Sequence, residues 1–553
     1  MNRTLFKHHS FTCASLALLA LLLSQASQAQ TAPDAGRLLQ EQHREMPLPK
    51  TVDFKIEAPS AQRAAPGGPQ VMLNSVQFEG NSALDSTTLE ACLGTASLGK
   101  PYDLAGLQDL ADKVSACYRE AGYPLARAFV AAQNMEGGNL RLQIIEGRYG
   151  QVRLVGDEKA QTAASFLTPL KPGEVITSAS LERATLLLSD LPGYWLQPVM
   201  QPGETEGTGD LILNMQRTDP ITGQLSADNM GNLYTGLYRA RLDMQVNSPL
   251  TAGDQLTVNI VKSTGDMTLG TMAYSFPAGG AGLRLLASVS KTEYRLGDEF
   301  AKANAYGAAD VASVGMSYSW LRSGIRNLNV NGQIQKKRMH DLKEDLDNQK
   351  SSELLTLAIN FDQRDDWLGG GVTYGSLSYF SGRLFLDAEL SEIDTETHRT
   401  AGDFSKLTLD VVRKQALPED LEANLRFLGQ WTDKNLDSSE KLVLGGANGV
   451  RAYPTGEALG DRGWLVQAEL RGQWEQFSPY LFLDAGAAQM FVSPWDRSAS
   501  NNRNLAGAGI GIRTTHEGWS ADASLAWRMD GGVPQSDPTD RVPRLWVSLN
   551  YRF

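Results

Sequence analysis

From Ile221 to the last residue, the chain alternates between apolar and polar residues in runs that Gly, Asn and Asp interrupt. Alternation with a period of two is typical of a β-strand whose two faces meet different surroundings. The final strand shows it clearly, with Leu545, Val547, Leu549, Tyr551 and Phe553 on one face and Trp546, Ser548, Asn550 and Arg552 on the other. Taken alone, this strand fits the edge of a soluble sandwich equally well.

The connections between the alternating runs favour a membrane barrel. About sixteen strands can be placed, and examples are 239–246, 255–261, 282–290, 324–335, 371–380 and 423–431. Tight turns fall at 277–280, 322–324, 366–369 and 516–518, and they alternate with long polar loops at 294–306, 339–351, 384–403, 433–462, 491–504 and 529–543. Short turns at one end and long loops at the other are typical of outer-membrane barrels. We therefore predict a 16-stranded antiparallel transmembrane β-barrel over residues 218–553.

Two smaller units precede the barrel. Residues 70–147 read as an α+β domain, with a helix over 103–121 that carries one apolar face and a hairpin around 136–139. Residues 148–217 repeat the theme, which indicates a tandem array.

The N-terminus predicts a signal peptide over 1–29, because Arg3 and Lys7 precede an apolar run that ends in a small-residue cleavage site. A helix within 30–46 follows, and a proline-rich linker over 47–69 tethers it to the first domain.

Composition narrows the function. The net charge of −12 and the lack of basic clusters argue against nucleic-acid binding. No catalytic motif stands out, and the six histidines form no ligand cluster, so we expect no enzyme activity, no cofactor and no metal. The glycine-rich run 507–511 resembles a phosphate loop, but it lies within an alternating strand, where glycines thin one barrel face.

After signal cleavage, Cys92 and Cys117 are the remaining cysteines. In an oxidising compartment they can pair. The alternative is two buried free thiols on separate helices, and the sequence leaves both open.

One pair of charges stands out inside the predicted barrel. Arg451 lies on a glycine-rich loop, which we delimit as 440–462, and strand parity turns Asp484 toward the lumen. A guanidinium and a carboxylate can pair in a bidentate manner, which fixes geometry as well as charge. Glu469, in the same lumen-facing register, is a second possible partner. Since barrel lumens hold many charges, spacing alone does not establish this pair.

The whole mature chain resembles a known family. Two small domains before a sixteen-stranded barrel are similar to the two-partner secretion transporters of TpsB type, whose small domains are POTRA modules. The matching motifs are Phe78-Glu79-Gly80-Asn81, Tyr118-Arg119-Glu120-Ala121-Gly122-Tyr123-Pro124, Ile145-Glu146-Gly147, Leu191-Pro192-Gly193, Asp228-Asn229, Gly231-Asn232, Asn247-Ser248-Pro249-Leu250 and Gly253-Asp254.

The resemblance implies roles for particular residues. The family's inward-folded Val-Arg-Gly-Tyr/Phe loop matches Val450, Arg451 and Tyr453, and its Phe-x-Asp-x-Gly strand matches Phe482, Asp484 and Gly486. Ala452 replaces the family glycine, which alters the loop tip if that position needs a positive φ. The N-terminal helix would sit in the pore as a plug, and the bland alternative is a terminal helix without a role. Tyr551 and Phe553 would form the C-terminal membrane-assembly signal.

The resemblance also implies a function. We expect an outer-membrane translocator of a Gram-negative bacterium that binds one large TpsA-type exoprotein through periplasmic POTRA modules and secretes it without ATP. Expected partners are that exoprotein, outer-membrane lipid and the barrel-assembly machinery, with no nucleic acid. The alternatives are an insertase for other barrels and a passive porin or receptor.

Overall fold

The computed structural model describes residues 33–41, 64–343, 346–496 and 500–553. The predicted signal peptide and residues 47–63 of the predicted linker lie outside this part of the chain. Within it, no helix is both long and apolar enough to cross a membrane.

The described helices are α1 Ala35–Glu41, α2 Ser86–Leu93, α3 Leu104–Glu120, α4 Ser178–Ser189 and α5 Ala388–Glu396. The strands ahead of the barrel are β1 Val71–Met72, β2 Ser75–Glu79, β3 Pro101–Tyr102, β4 Arg127–Val130, β5 Asn139–Ile145, β6 Arg148–Val155, β7 Tyr194–Pro202 and β8 Thr208–Arg217. The barrel strands are β9 Ile221–Asp228, β10 Arg239–Asn247, β11 Gln255–Ser263, β12 Met267–Pro277, β13 Leu283–Arg295, β14 Tyr306–Arg322, β15 Arg326–Lys343, β16 Leu346–Asp365, β17 Gly371–Leu386, β18 Gly402–Leu417, β19 Leu421–Thr432, β22 Arg462–Gly472, β23 Phe477–Gln489, β24 Asn502–His516, β25 Trp519–Asp530 and β26 Arg544–Arg552. Two further short strands, β20 Leu442–Val443 and β21 Leu459–Gly460, pair with each other outside the barrel sheet.

The first α+β domain packs α2 and α3 on a three-stranded sheet of order β2-β5-β4, with β2 and β5 parallel. Glu146 connects the end of the sheet to the loop before α2. Its buried carboxylate accepts hydrogen bonds from the hydroxyl of Ser82, from Ala83 N at 2.6 Å and from the Tyr118 hydroxyl at 3.1 Å. Burial alone would raise the pKa of Glu146, but these hydrogen bonds outweigh it and hold the pKa below its usual value.

A disulfide joins Cys92 of α2 to Cys117 of α3, 25 residues apart in the chain. On the chain-entropy account, a loop of this length contributes about 3–4 kcal/mol to the free energy of unfolding.

We expect Cys92→Ser/Cys117→Ser to destabilise this domain by about that amount, because the unfolded chain regains its loop freedom. Hydrogen exchange of α3 amides in the full-length protein measures the change, and barrel amides serve as the internal control. Unaltered α3 exchange would contradict the expectation.

The second α+β domain has a sheet of order β6-β8-β7 and rests on the short-turn end of the barrel. Asp190 accepts a bidentate pair of hydrogen bonds, at 2.7 and 2.8 Å, from Arg322 at the short-turn end of β14, next to the β14–β15 turn. Ser248, in the β10–β11 turn, donates its hydroxyl to the carbonyl of Pro192 at 2.6 Å. The Leu191-Pro192-Gly193 and Asn247-Ser248-Pro249-Leu250 motifs therefore meet at this interface.

The barrel is a closed antiparallel sheet of sixteen strands, running from β9 around to β26, which pairs back with β9. Large apolar side chains face outward along its strands, among them Leu225, Val289, Val314, Ile334, Leu357, Leu481, Ile510 and Leu549. The fold class predicted from the sequence is thereby confirmed.

The predicted long loop over 339–351 is wrong. β15 continues to Lys343 and β16 begins at Leu346, so the two strands form one extended hairpin. Most residues on both faces of this hairpin are polar, so the period-two signal disappears there.

Candidate functional site in the barrel lumen

The connection between β19 and β22 folds back into the barrel, and we call residues 440–462 the inward loop. β20 and β21 pair at its base. Nearer the tip, Val450 N donates to the carbonyl of Leu444 at 2.7 Å, and Tyr453 N donates to the carbonyl of Val450 at 3.0 Å. Val450 and Tyr453 are fully buried. The loop is thus a compact element that presents Arg451 to the barrel wall.

Arg451 meets Asp484 of β23 in a bidentate pair. Its Nε lies 2.8 Å from Oδ2 and its Nη2 lies 2.7 Å from Oδ1, while its backbone N also donates to Oδ2 at 3.0 Å. The guanidinium carbon lies 3.5 Å from the centre of the Phe482 ring. Both side chains are buried, so the loss of either one would leave the other charge buried and without compensation.

Glu469 of β22 is shared among three arginines. It accepts from Arg451 at 3.0 Å, from Arg471 at 3.1 Å and from Arg513 at 2.8 Å. Sequence reasoning missed Arg513, which also pairs with Asp522 and stacks over the Tyr480 ring. The alternation along β24 places Arg513 on the lumen face, and this was the available signal. It did not show which lumen residues contact each other.

Small residues make room for the loop. A side chain at Gly486 would lie 2.8 Å from the carbonyl oxygen of Trp464 and 3.1 Å from Leu444 of the loop. Ala452 has no positive φ, so the conformational objection to alanine does not apply. Its Cβ fits over Gly507, where an added Cβ would be 2.5 Å away.

The glycine run on β24 supports the aromatic rings beneath the arginines. A Cβ on Gly509 would collide with the Phe482 ring, and one on Gly511 would collide with the Tyr480 ring. The alternate glycines therefore form a flat strip on the lumen face.

Gly509→Ala should displace the Phe482 ring and with it the surface under Arg451, at an overpacking cost of about 1–3 kcal/mol. Gly270→Ala on β12 is the matched control, since nothing lies within 4 Å of its added Cβ. We expect the temperature at which the folded barrel loses its fast migration on unboiled gels to fall for Gly509→Ala and to hold for Gly270→Ala. Equal temperatures would refute the steric account.

Helix α1 also lies in the lumen, near the long-loop end. Ala35 and Leu38 are fully buried in an apolar cluster with wall residues that include Val261, Met267 and Met339. Gly36 approaches the segment that leads into the inward loop so closely that a Cβ there would be 2.7 Å from Ser439 N. Residues 42–46 of the predicted helical segment lie outside the described residues.

Charges hold α1 at both ends. Lys350 of β16 lies 2.7 Å from Asp34 and 2.7 Å from Asp437 of the connection that leads into the inward loop. At the other end, Arg37 donates to the carbonyl of Gly456 at 2.9 Å, and Asn232 donates to Glu41 at 3.0 Å. The helix is thereby connected to the wall, to the inward loop and to the β9–β10 loop.

The remaining predicted site residues lie elsewhere. Cys92 and Cys117 are in the first α+β domain, while Tyr551 and Phe553 are at the short-turn end of the barrel. Phe553 exchanges two backbone hydrogen bonds with Gly223 of β9, at 2.9 and 3.0 Å, and Tyr551 stacks on Trp519. Within the described ranges, no group of three or more His, Cys, Asp or Glu is placed to hold a metal ion.

Comparisons with known proteins agree with this architecture. The chain is 25% identical to the heme/hemopexin transporter protein HuxB of Haemophilus influenzae, over 98% of both chains. It is 24% identical to the outer membrane transporter CdiB of Escherichia coli, over 90% of this chain and 85% of the relative. The solved structure of CdiB from Escherichia coli superimposes with a TM-score of 0.71 at 20% identity, and the match covers 100% of both chains.

The sixteen-stranded barrel and the POTRA domains, together with a family match over more than half of the chain, identify an outer-membrane transporter of the two-partner secretion class, in which the POTRA domains are periplasmic. The family of haemolysin secretion/activation proteins ShlB/FhaC/HecB matches residues 207–514, and the ShlB-type POTRA domain matches residues 71–147. The chain belongs to this family. The short turns therefore face the periplasm and the long loops face the cell exterior.

Proposed function

We propose that this chain secretes one large exoprotein, which its POTRA modules capture in the periplasm and its barrel pore passes outward without ATP. The observation that carries the proposal is the lumen itself, which two elements occupy: α1 and the inward loop are each held by hydrogen bonds and ion pairs together with apolar contacts. A passive porin needs neither. We propose 70–147 and 148–217 as the limits of the two modules.

Capture by strand addition is supported at β2 of the first module. The free edge of β7 carries Pro198 and Pro202, which have no N–H group to donate, so this edge is less able to pair with another strand. Ser115 hydrogen-bonds to Ala128 N and covers part of the β4 edge. Tyr149, at the start of β6, already exchanges bonds with the segment 173–174. We therefore propose β2 as the edge that an extended cargo segment joins.

The second module would then hand the cargo to the barrel. Its docking through Asp190 and Ser248 fixes it at the periplasmic turns, so bound cargo stays beside the pore. α1 and the inward loop would leave the lumen, in whole or in part, as cargo enters. Folding of the cargo outside the cell would draw the process forward.

We further propose outer-membrane lipid and the barrel-assembly machinery as partners. The outward apolar belt supports lipid contact, and the closing strand β26, with Tyr551 and Phe553, supports recognition during assembly. As candidate cargo, a haem- or hemopexin-binding exoprotein comes first, because HuxB matches this chain from end to end.

Co-expression in a surrogate host tests the proposal. A large exoprotein encoded next to this chain is produced with and without it, and both the medium and the outer membrane are assayed. Cargo in the medium only when the chain is present supports secretion. If cargo stays inside while other barrels fail to assemble without the chain, the insertase alternative replaces it. If neither changes with that cargo, the proposal fails for it and a porin becomes the better account.

A further inference from the structure

The barrel closes where β26 meets β9, and we call this strand pair the seam. Its ladder has five residue pairs, Ser548–Arg552 against 224–228, and at the periplasmic end Phe553 adds two backbone hydrogen bonds to Gly223. The ladders β9–β10 and β25–β26 have eight residue pairs each. A short ladder has fewer backbone hydrogen bonds to resist separation. The ladder with β9 stops at Ser548, so residues 544–547 at the extracellular end of β26 pair with β25 but lie beyond the ladder with β9.

Asn229 extends this short ladder with its side chain. Its backbone N donates to the carbonyl of Val547 at 3.2 Å. Its side-chain Nδ2 donates to the carbonyl of Leu545 at 2.9 Å, and its Oδ1 accepts from Val547 N at 2.8 Å. The amide group thus takes the place of a peptide unit at the extracellular end of the seam.

Trp546 lies between these two β26 residues and points into the lumen, where it is 4% exposed. Its indole Nε1 donates to the carbonyl oxygen of Arg451 at 2.7 Å. On the β9 side, the hydroxyl of Thr455 donates to the carbonyl of Met230 at 3.0 Å. The inward loop therefore holds both sides of the seam, Trp546 through residue 451 and Met230 through residue 455.

We propose that the inward loop bridges the two strands of the seam, so that release of the loop and loosening of the seam are one transition. Trp546 and Asn229 are the positioning residues of this bridge. Withdrawal of the loop leaves the buried indole N–H without its acceptor and removes the tie at Met230. Conversely, separation of β26 from β9 moves Trp546 and pulls on the backbone of the arginine. The relevance of this coupling to export rests on the proposed function.

Hydrogen exchange of the full-length protein in lipid nanodiscs, with no cargo present, tests the coupling. Trp546→Phe keeps the ring and removes the donor, and Trp527→Phe on the lipid face of β25 is the matched control. We expect exchange to rise at least tenfold in both 450–456 and 548–552 for Trp546→Phe, and in neither segment for Trp527→Phe. A rise in one segment alone, or in neither, overturns the proposal.

Two more variants keep the test decisive if Trp546→Phe fails to assemble. Asn229→Ala weakens the seam and should speed exchange in the loop, while Thr455→Val weakens the loop tie and should speed exchange in β26. If exchange in the loop and exchange in β26 change independently of each other, the proposed bridge is overturned. The exchange experiment contains no cargo, so it is independent of the export assay. Coupled exchange with failed export refutes the proposed function alone. Working export with uncoupled exchange refutes the bridge alone.

Discussion

Arg451→Ala should abolish secretion while leaving a folded barrel in the outer membrane. The substitution removes a bidentate partner from Asp484 and one of three donors from Glu469. Breaking a buried pair on one side costs about 3–5 kcal/mol, because the other charge stays buried and uncompensated. Each 1.4 kcal/mol is about a tenfold change in population, so the anchored loop would lose most of its occupancy. Cargo in the medium, measured against chain in the membrane, gives the result.

The matched control is Arg383→Ala at an exposed site. Arg383 also makes a bidentate pair, with Asp403, at 2.6 and 2.8 Å, but both side chains are more than half exposed. Solvent and salt screen such an exposed pair, so its loss has little effect and secretion should be unchanged. Secretion by Arg451→Lys should lie between that of Arg451→Ala and that of Arg383→Ala, because an ammonium cannot form the planar bidentate contact. Normal secretion by Arg451→Ala would remove the inward loop from the mechanism.

Deletion of residues 33–41 should turn a quiet channel into a conducting one. Helix α1 occupies the lumen between the wall and the inward loop, and its removal leaves water in that space. Planar-bilayer recordings of the purified protein measure the change. A deletion that leaves the conductance as low as in the intact chain would show that α1 does not close the pore.

A single substitution provides a finer test of the same element. Lys350→Met leaves Asp34 and Asp437 facing each other without their shared cation, so α1 should leave the lumen more often. A loss of about 1.4 kcal/mol in its anchoring raises the open fraction about tenfold. Lys262→Met is the control, because that lysine is exposed and its partners are Asp266 and Thr268. Equal open times in the two variants would contradict the charge-based anchoring.

Much of the barrel could be predicted because alternation reports which face of a strand meets lipid. Parity alone turned Tyr480, Phe482 and Asp484 toward the lumen, and the structure places all three there, buried. The same rule failed over 339–351, where most residues on both faces are polar. Loop length was therefore overestimated at that hairpin.

The contacts across the lumen could not be predicted from parity. Alternation put Trp546 on the same face of β26 as Ser548, Asn550 and Arg552, yet nothing in the sequence linked it to the carbonyl of Arg451. Asn229 belonged to a recognised motif, but its role as a substitute peptide unit depends on where β26 closes the barrel. Such contacts join strands that are far apart in the chain, so they arise only when the sheet closes.

Reconstitution tests the central claim most directly. Proteoliposomes that hold the purified chain with POTRA domains outward receive unfolded exoprotein, labelled at its N-terminal region, in buffer without ATP. The account predicts that cargo becomes protected from added protease inside these vesicles, and that vesicles with Arg451→Ala protect none. Cargo that stays fully digestible with the wild-type chain, or that enters only with ATP and further proteins, would contradict autonomous export through this barrel.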